Sequence, residues 1–137
     1  MIVEEALIAR VTAPTSATYA LVGTRVTPDY IPDTMPLPAV YMQRVPRPPV
    51  SELNIDQTID HLKVLFNFTC VAAQNEKFTA LRLADAIRTD LHGYRYADPT
   101  LTIICAFYNR QTDGYDGDTR RHKIDVEIEV WFNPSPP

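Results

Sequence analysis

Along RRHKIDVEIEVWFN, Arg120 to Asn133, every second residue from Ile124 to Phe132 is apolar, and Asp125, Glu127 and Glu129 fill the gaps. A period of two puts alternate side chains on opposite faces of a β-strand, whereas a helix would scatter these apolar residues around its circumference. The chain must therefore supply further strands beside this one and something apolar to cover its buried face.

The rest of the second half supplies both. In HLKVLFNFTCV the residues Leu62, Val64, Phe66, Phe68 and Cys70 share one face of a second alternating strand. Asn75 is the expected N-cap of a helix from Glu76 to His92, with Ala80, Leu83, Ala84, Ile87 and Leu91 on one side and Gly93 at the C-cap. After YRYADP, LTIICAFYN reads as a strand, and RQTDGYDGDT as the loop that returns the chain to the opening stretch. Toward the N-terminus, Ile2 to about Val11 reads as a short helix or strand that ends at Pro14 and the Ser/Thr-rich TAPTSAT, followed by a brief extended piece around Arg25 to Thr27.

Between these parts lies a proline-rich region. Seven of the 12 prolines fall between Pro28 and Pro49, where missing N–H donors and fixed φ exclude a continuous helix or a central strand. AVYMQRV, between Pro38 and Pro46, still fits an edge strand, and the remainder reads as a rigid extended arm. The expected fold is a single α+β domain over residues 1–137. It has an antiparallel sheet of about four strands, helices on one face, a proline-rich arm with its edge strand at 28–60, and a flexible tail at 133–137.

The charge balance narrows function. A formal charge of −4 gives no basic footprint for holding nucleic acid, and the only tight basic cluster is Arg120, Arg121, His122 and Lys123. No apolar run approaches the roughly 20 residues that span a bilayer, and the acidic MIVEEALIAR start is unlike a signal peptide. Cys70 and Cys105 fall in expected strands and read as buried apolar residues, too few for a disulfide framework or a zinc site. The loop DGYDGD offers Asp113, Asp116 and Asp118, but not at the spacing of a calcium loop, and Asp-Gly pairs equally suit a hairpin tip. Asp125, Glu127 and Glu129 lack the unlike environments that separate an acid from a base, and cross-strand pairing with His61, Lys63 or Arg44 is the plainer account of them. No nucleophile motif and no phosphate-cradling glycine loop is present, so the expectation is a protein that is not an enzyme, with no cofactor and no bound metal.

In order and spacing the segments EEALIAR, LVGTRVTPDYIPDTMPLPAVYMQRV, HLKVLFNFTCVAA, ALRLADAIRTDLHGY and RRHKIDVEIEVWF resemble the tail-completion, or tail terminator, family of long-tailed bacteriophages. RPPVSELNIDQTID and the tail NPSPP depart from the family pattern. The resemblance implies a virion structural protein, assembled in the host cytoplasm, that forms a hexameric ring on the head-proximal end of the tail tube. Such a ring stops tube growth and presents a joining surface to the head connector. Its implied partners are further copies of itself, the major tail tube protein and the connector or stopper protein, with DNA passing through the lumen unbound and no membrane involved. Candidate contact residues on this reading are Asp113, Tyr115, Asp116, Asp118 and Trp131, with Pro46, Pro48 and Pro49 of the arm. Asp125, Glu127 and Glu129 are candidates for a lumen-facing acidic stripe, acting within about 8 Å at physiological salt; pairing with Lys63 would speak against that role. The alternatives are a neck or head-completion (stopper) protein and a small metal-dependent cytoplasmic enzyme domain.

Overall fold

The computed structural model describes residues 2–45, 50–53 and 59–133. Its centre is the pair of alternating segments. β4 (Ile59–Ala73) and β7 (Arg121–Asn133) run antiparallel in unbroken register from Leu62 opposite Phe132 to Ala73 opposite Arg121. This register places Val64, Phe66, Phe68, Cys70 and Ala72 of β4 beside Ile124, Val126, Ile128, Val130 and Phe132 of β7 on one face, and all are buried.

That face is covered by α3 (Lys77–Leu91), whose Ala80, Leu83, Ala84, Ile87 and Leu91 are all buried against it, as their spacing requires. Beside α3 lies α1 (Val3–Val11), which contributes Val3, Leu7 and Val11 to the same core. Full burial of a side chain such as Phe66, Phe68 or Leu83 stabilises the fold by about 1.5–3 kcal/mol. Helix α3 starts later than the sequence suggests. Its N-cap is Glu76, without a side-chain capping bond, where Asn75 was expected.

The sheet is larger than the four strands expected. Among the described residues seven strands pair, in the order β1-β2-β4-β7-β6-β5 with β3 also on β4. The added members are short: β1 (Val26–Pro28), β3 (Val50–Leu53) and β5 (Tyr96–Ala97), beside β2 (Ala39–Arg44). β1 answers to the brief extended piece expected around Arg25 to Thr27; strands of two to four residues carry no measurable periodicity, which is why the sequence hides β3 and β5. All pairs are antiparallel except β1 with β2, which is parallel. The proline-rich region is not one arm: Pro28 ends β1, Leu37–Pro38 is a cis peptide before β2, and Pro46, Pro48 and Pro49 lie outside the described residues. Residues 134–137 of the expected tail also lie outside them, and Asn133 is the last residue of β7.

The Ser/Thr-rich stretch holds a helix the sequence does not announce, α2 (Ala17–Val22). Ser16 caps it by accepting the N–H of Tyr19 at 3.0 Å. The larger anchor comes from far along the chain. The buried carboxylate of Asp90, on α3, accepts the N–H of Ala17 at 3.0 Å, and the N–H and hydroxyl of Thr18 at 2.8 and 2.6 Å. A carboxylate at a helix N-terminus answers both the orphan donors and the positive end of the dipole. Replacing Asp90 with Ala leaves those donors buried and unpaired. Urea denaturation is expected to show a loss of about 2–4 kcal/mol, and Asp90→Asn, which keeps one acceptor, roughly half of it.

Candidate assembly surfaces

The second face of β7 carries Asp125, Glu127, Glu129 and Trp131. It is not the open charged face that alternation suggests. The sheet curls, and on this side Ala39, Thr69, Val71 and Glu127 are buried although they stand opposite the helix-covered core. Asp29, Tyr30 and Ile31, just past β1, line a groove there with Val71, Arg121 and Lys123.

Each carboxylate of the stripe has a partner within the sheet. Asp125 accepts the hydroxyl of Thr69, its register partner, at 2.6 Å. Glu127 accepts from Asn109 at 3.3 Å and from Arg110 at 3.4 Å, the latter directly opposite it on the neighbouring strand β6 (Thr102–Asp116). Glu129 meets Lys63 at 3.3 Å and takes the indole N–H of Trp131 at 3.0 Å. Lys63 also stands over the Trp131 ring, 5.7 Å from its centroid. The ion pair is worth about 0–1 kcal/mol and the cation–π contact roughly 0.5–1 kcal/mol. Their consequence is neutralisation: Lys63 and Arg110 offset two of the three charges, so the picture of a bare acidic wall is withdrawn whichever way this face turns. Of the cross-strand cations expected, Lys63 takes the role, while Arg44 turns to Glu4 at 3.1 Å. The side chain of His61 lies outside the described residues.

Nor does the stripe suit an ion. Its carboxylates are already engaged with Thr69, with Asn109 and Arg110, and with Lys63 and Trp131, so a cation would have to displace those partners. Among the described residues no group of three His, Cys, Asp or Glu side chains is placed to hold a metal. Cys70 is fully buried near the C-terminal end of β4, where burial, with a contribution from Asp125, pushes its thiol far above the ordinary range and makes it inert.

The stretch RQTDGYDGDT departs furthest from expectation. Read as a loop, it is mostly strand: β6 continues to Asp116, and only Gly117 to Arg120 make the turn into β7. Neither Asp-Gly pair supplies the left-handed residue, which is Arg120 at φ 55°. Asp116 organises the turn, accepting the N–H groups of Asp118 and Thr119 at 3.0 and 3.4 Å and pairing with Lys123 at 3.4 Å. Asp113 accepts from the side chain of Gln111, and Asp118 is exposed. Tyr115, 49% exposed, lies against His122, whose Nε2 is 2.8 Å from the carbonyl of Gln74. The expected contact residues of this region are thus brought together on one hairpin, whereas Trp131 lies far along β7, half-buried and engaged with Glu129 and Lys63.

The outer edge of β6 was not foreseen. β5 pairs only with Thr102 and Ile103; Ala106 bonds to Gly93 and Tyr94; and the N–H of Tyr108 donates to His92 Nδ1 at 3.0 Å. Bulges at 103/105 and 108/110 break the alternation of β6, so its sequence gives no strand signal beyond Asn109.

Asp116 gives the hairpin a pH dependence. Its carboxyl is held below the usual carboxylate range, first by the N–H of Thr119, then by that residue's hydroxyl, with Asp118 and Lys123 adding to it. A carboxyl lowered by folding stabilises the turn above its unfolded value of about 3.9, and this contribution is lost as pH falls from there toward the folded value. Amide chemical shifts of residues 117–120 are expected to hold steady down to about pH 4 and move below it, and Asp116→Asn is expected to abolish that transition.

Comparison with known proteins places this arrangement. A family model described as tail completion protein gp17 matches residues 5–133. A solved chain from the virion of a native gene transfer agent particle has the same fold, with a TM-score of 0.70 at 21% identity over 95% of this chain and 96% of that one. A second solved chain, 13% identical, matches with a TM-score of 0.60 over 100% of both. No curated protein sequence matches.

Proposed function

Because the chain belongs to the tail completion protein gp17 family, we propose that this tail-associated structural protein forms a ring, six subunits in the particle, on the head-proximal end of the tail tube. There it ends tube polymerisation and provides the surface to which the head connector joins. The observation that carries the reading is the family match, which spans α2, α3, all of α1 but its first two residues, and every strand of the sheet. The resemblance of the fold to a chain in a gene transfer agent virion supports a place in a particle of this kind.

Physical features agree with a structural task. The polar groups described above are spent on one another: Asp90 on α2, Asp125 on Thr69, Glu129 on Lys63 and Trp131. What the fold leaves exposed is the long hairpin with Asp113, Tyr115 and Asp118, which we assign to contacts with a neighbouring subunit or the tube. Trp131, half-buried beside Lys63, is a second contact candidate on the curled face. A net charge of −4 suits a ring through which DNA passes without being held.

A nonsense mutation in this gene within its own phage or particle tests the proposal, with negative-stain microscopy of the lysate. Filled heads without tails, beside free tubes of abnormal or runaway length, are expected. Tubes of normal length beside heads that leak DNA would move the protein to the neck, and intact infectious particles would overturn both placements.

A further inference from the structure

We propose that the outer edge of β6, from Asn109 to Asp116, is where a second copy of the chain adds a strand, so that neighbouring subunits share one continuous sheet; this rests on the ring reading above. A strand edge presents rows of unpaired N–H and C=O groups, and proteins that stay monomeric guard such edges. Here the guarding stops partway. β5, the 93–94 turn and the His92 ring cover β6 as far as Tyr108. Among the described residues nothing pairs with the outer side of Asn109–Asp116, Asn109 to Tyr115 are all exposed, and the segment contains no proline.

The opposite margin of the same sheet is of a different kind. β1 is three residues long and ends on Pro28; it covers Val40–Met42 of β2 and leaves Gln43 and Arg44 beyond it. Directions fit a head-to-tail joint. β6 is antiparallel to β7, β7 to β4 and β4 to β2, while β1 is parallel to β2. β6 therefore runs opposite to both β1 and β2. A neighbour placed with its strand directions kept would meet the β6 edge in the antiparallel sense, the more stable ladder.

Charge points the same way. Asp113 lies on the bare edge and Asp118 in the turn just beyond it, neither with a cationic partner among the described residues, and Arg25, next to β1, has no carboxylate partner there. Pairing two β6 edges about a two-fold axis would instead bring the Asp113 side chains together near that axis, and like charges there are unfavourable. Unlike edges joined head to tail are what close a ring.

The test uses assembled tails purified from particles. In a Cys105→Ser background, Thr112→Cys combined with Gln43→Cys is oxidised and run on a non-reducing gel, beside each single variant. A ladder of multimers from the double variant, with monomer from each single one, is expected. A dimer from Thr112→Cys alone would overturn the head-to-tail joint in favour of β6 against β6. Should the variants fail to assemble, hydrogen exchange on the wild-type chain decides. The amides of residues 109–116 are expected to exchange at least about tenfold more slowly in the tail than in the free subunit, and equal rates would overturn the proposal. Tubes of normal length in the nonsense mutant would instead mean that the ring reading itself has failed.

Discussion

The structure depends on the ladder between β4 and β7, which runs without a bulge from Leu62 opposite Phe132 to Ala73 opposite Arg121. Because side chains alternate with a period of two, a slip of one residue in β4 would turn Phe66 and Phe68 away from α3 and bring Asn67 into the core, and a slip in β7 would exchange Ile128 for Glu127 and Glu129 in the same way. Every other element takes its position from this pair. α3 follows β4 through a short turn and lies back over both strands, β2 and β3 share one side of β4, and β6 takes the outer side of β7.

Legibility in the sequence followed burial. β4, β7 and α3 have one buried face each, and their apolar spacing gave both their type and the face that is buried. The outer half of β6 buries neither face, so Asn109–Asp116 carries no apolar alternation and looks like a loop in the residues; its ladder to β7 and polar contacts such as Asn109 and Arg110 to Glu127 hold it as a strand. Helix α2 was hidden for a different reason: its N-terminus is held by Asp90, on a helix that comes long after it in the chain. The short strands β1, β3 and β5 exist only because a longer neighbour offers an edge.

The candidate surface was legible in composition and only partly in geometry: pairing with Lys63 was expected, and the burial of this face was not. Three carboxylates alternating with apolar residues looked like an exposed charged face. Curling buries Glu127, and neighbouring strands bring Thr69, Arg110 and Lys63 to the three acids. None of those partners lies near in sequence, and the register that brings them together is a property of the sheet. The resemblance to tail-completion proteins was legible for the converse reason, since it rests on the order of elements, which the chain writes linearly.

The depth of Cys70 also gives the protein an internal clock. Its sulfur is fully enclosed between β4, β7 and the helices, whereas Cys105 is only half-buried on β6. A thiol reagent therefore reaches the two sites through different events. Cys105 needs only a local fluctuation of the sheet face, and Cys70 needs the central ladder to part. The ratio of the two labelling rates separates breathing of the periphery from opening of the whole domain, and it does so in the native sequence, without an introduced probe.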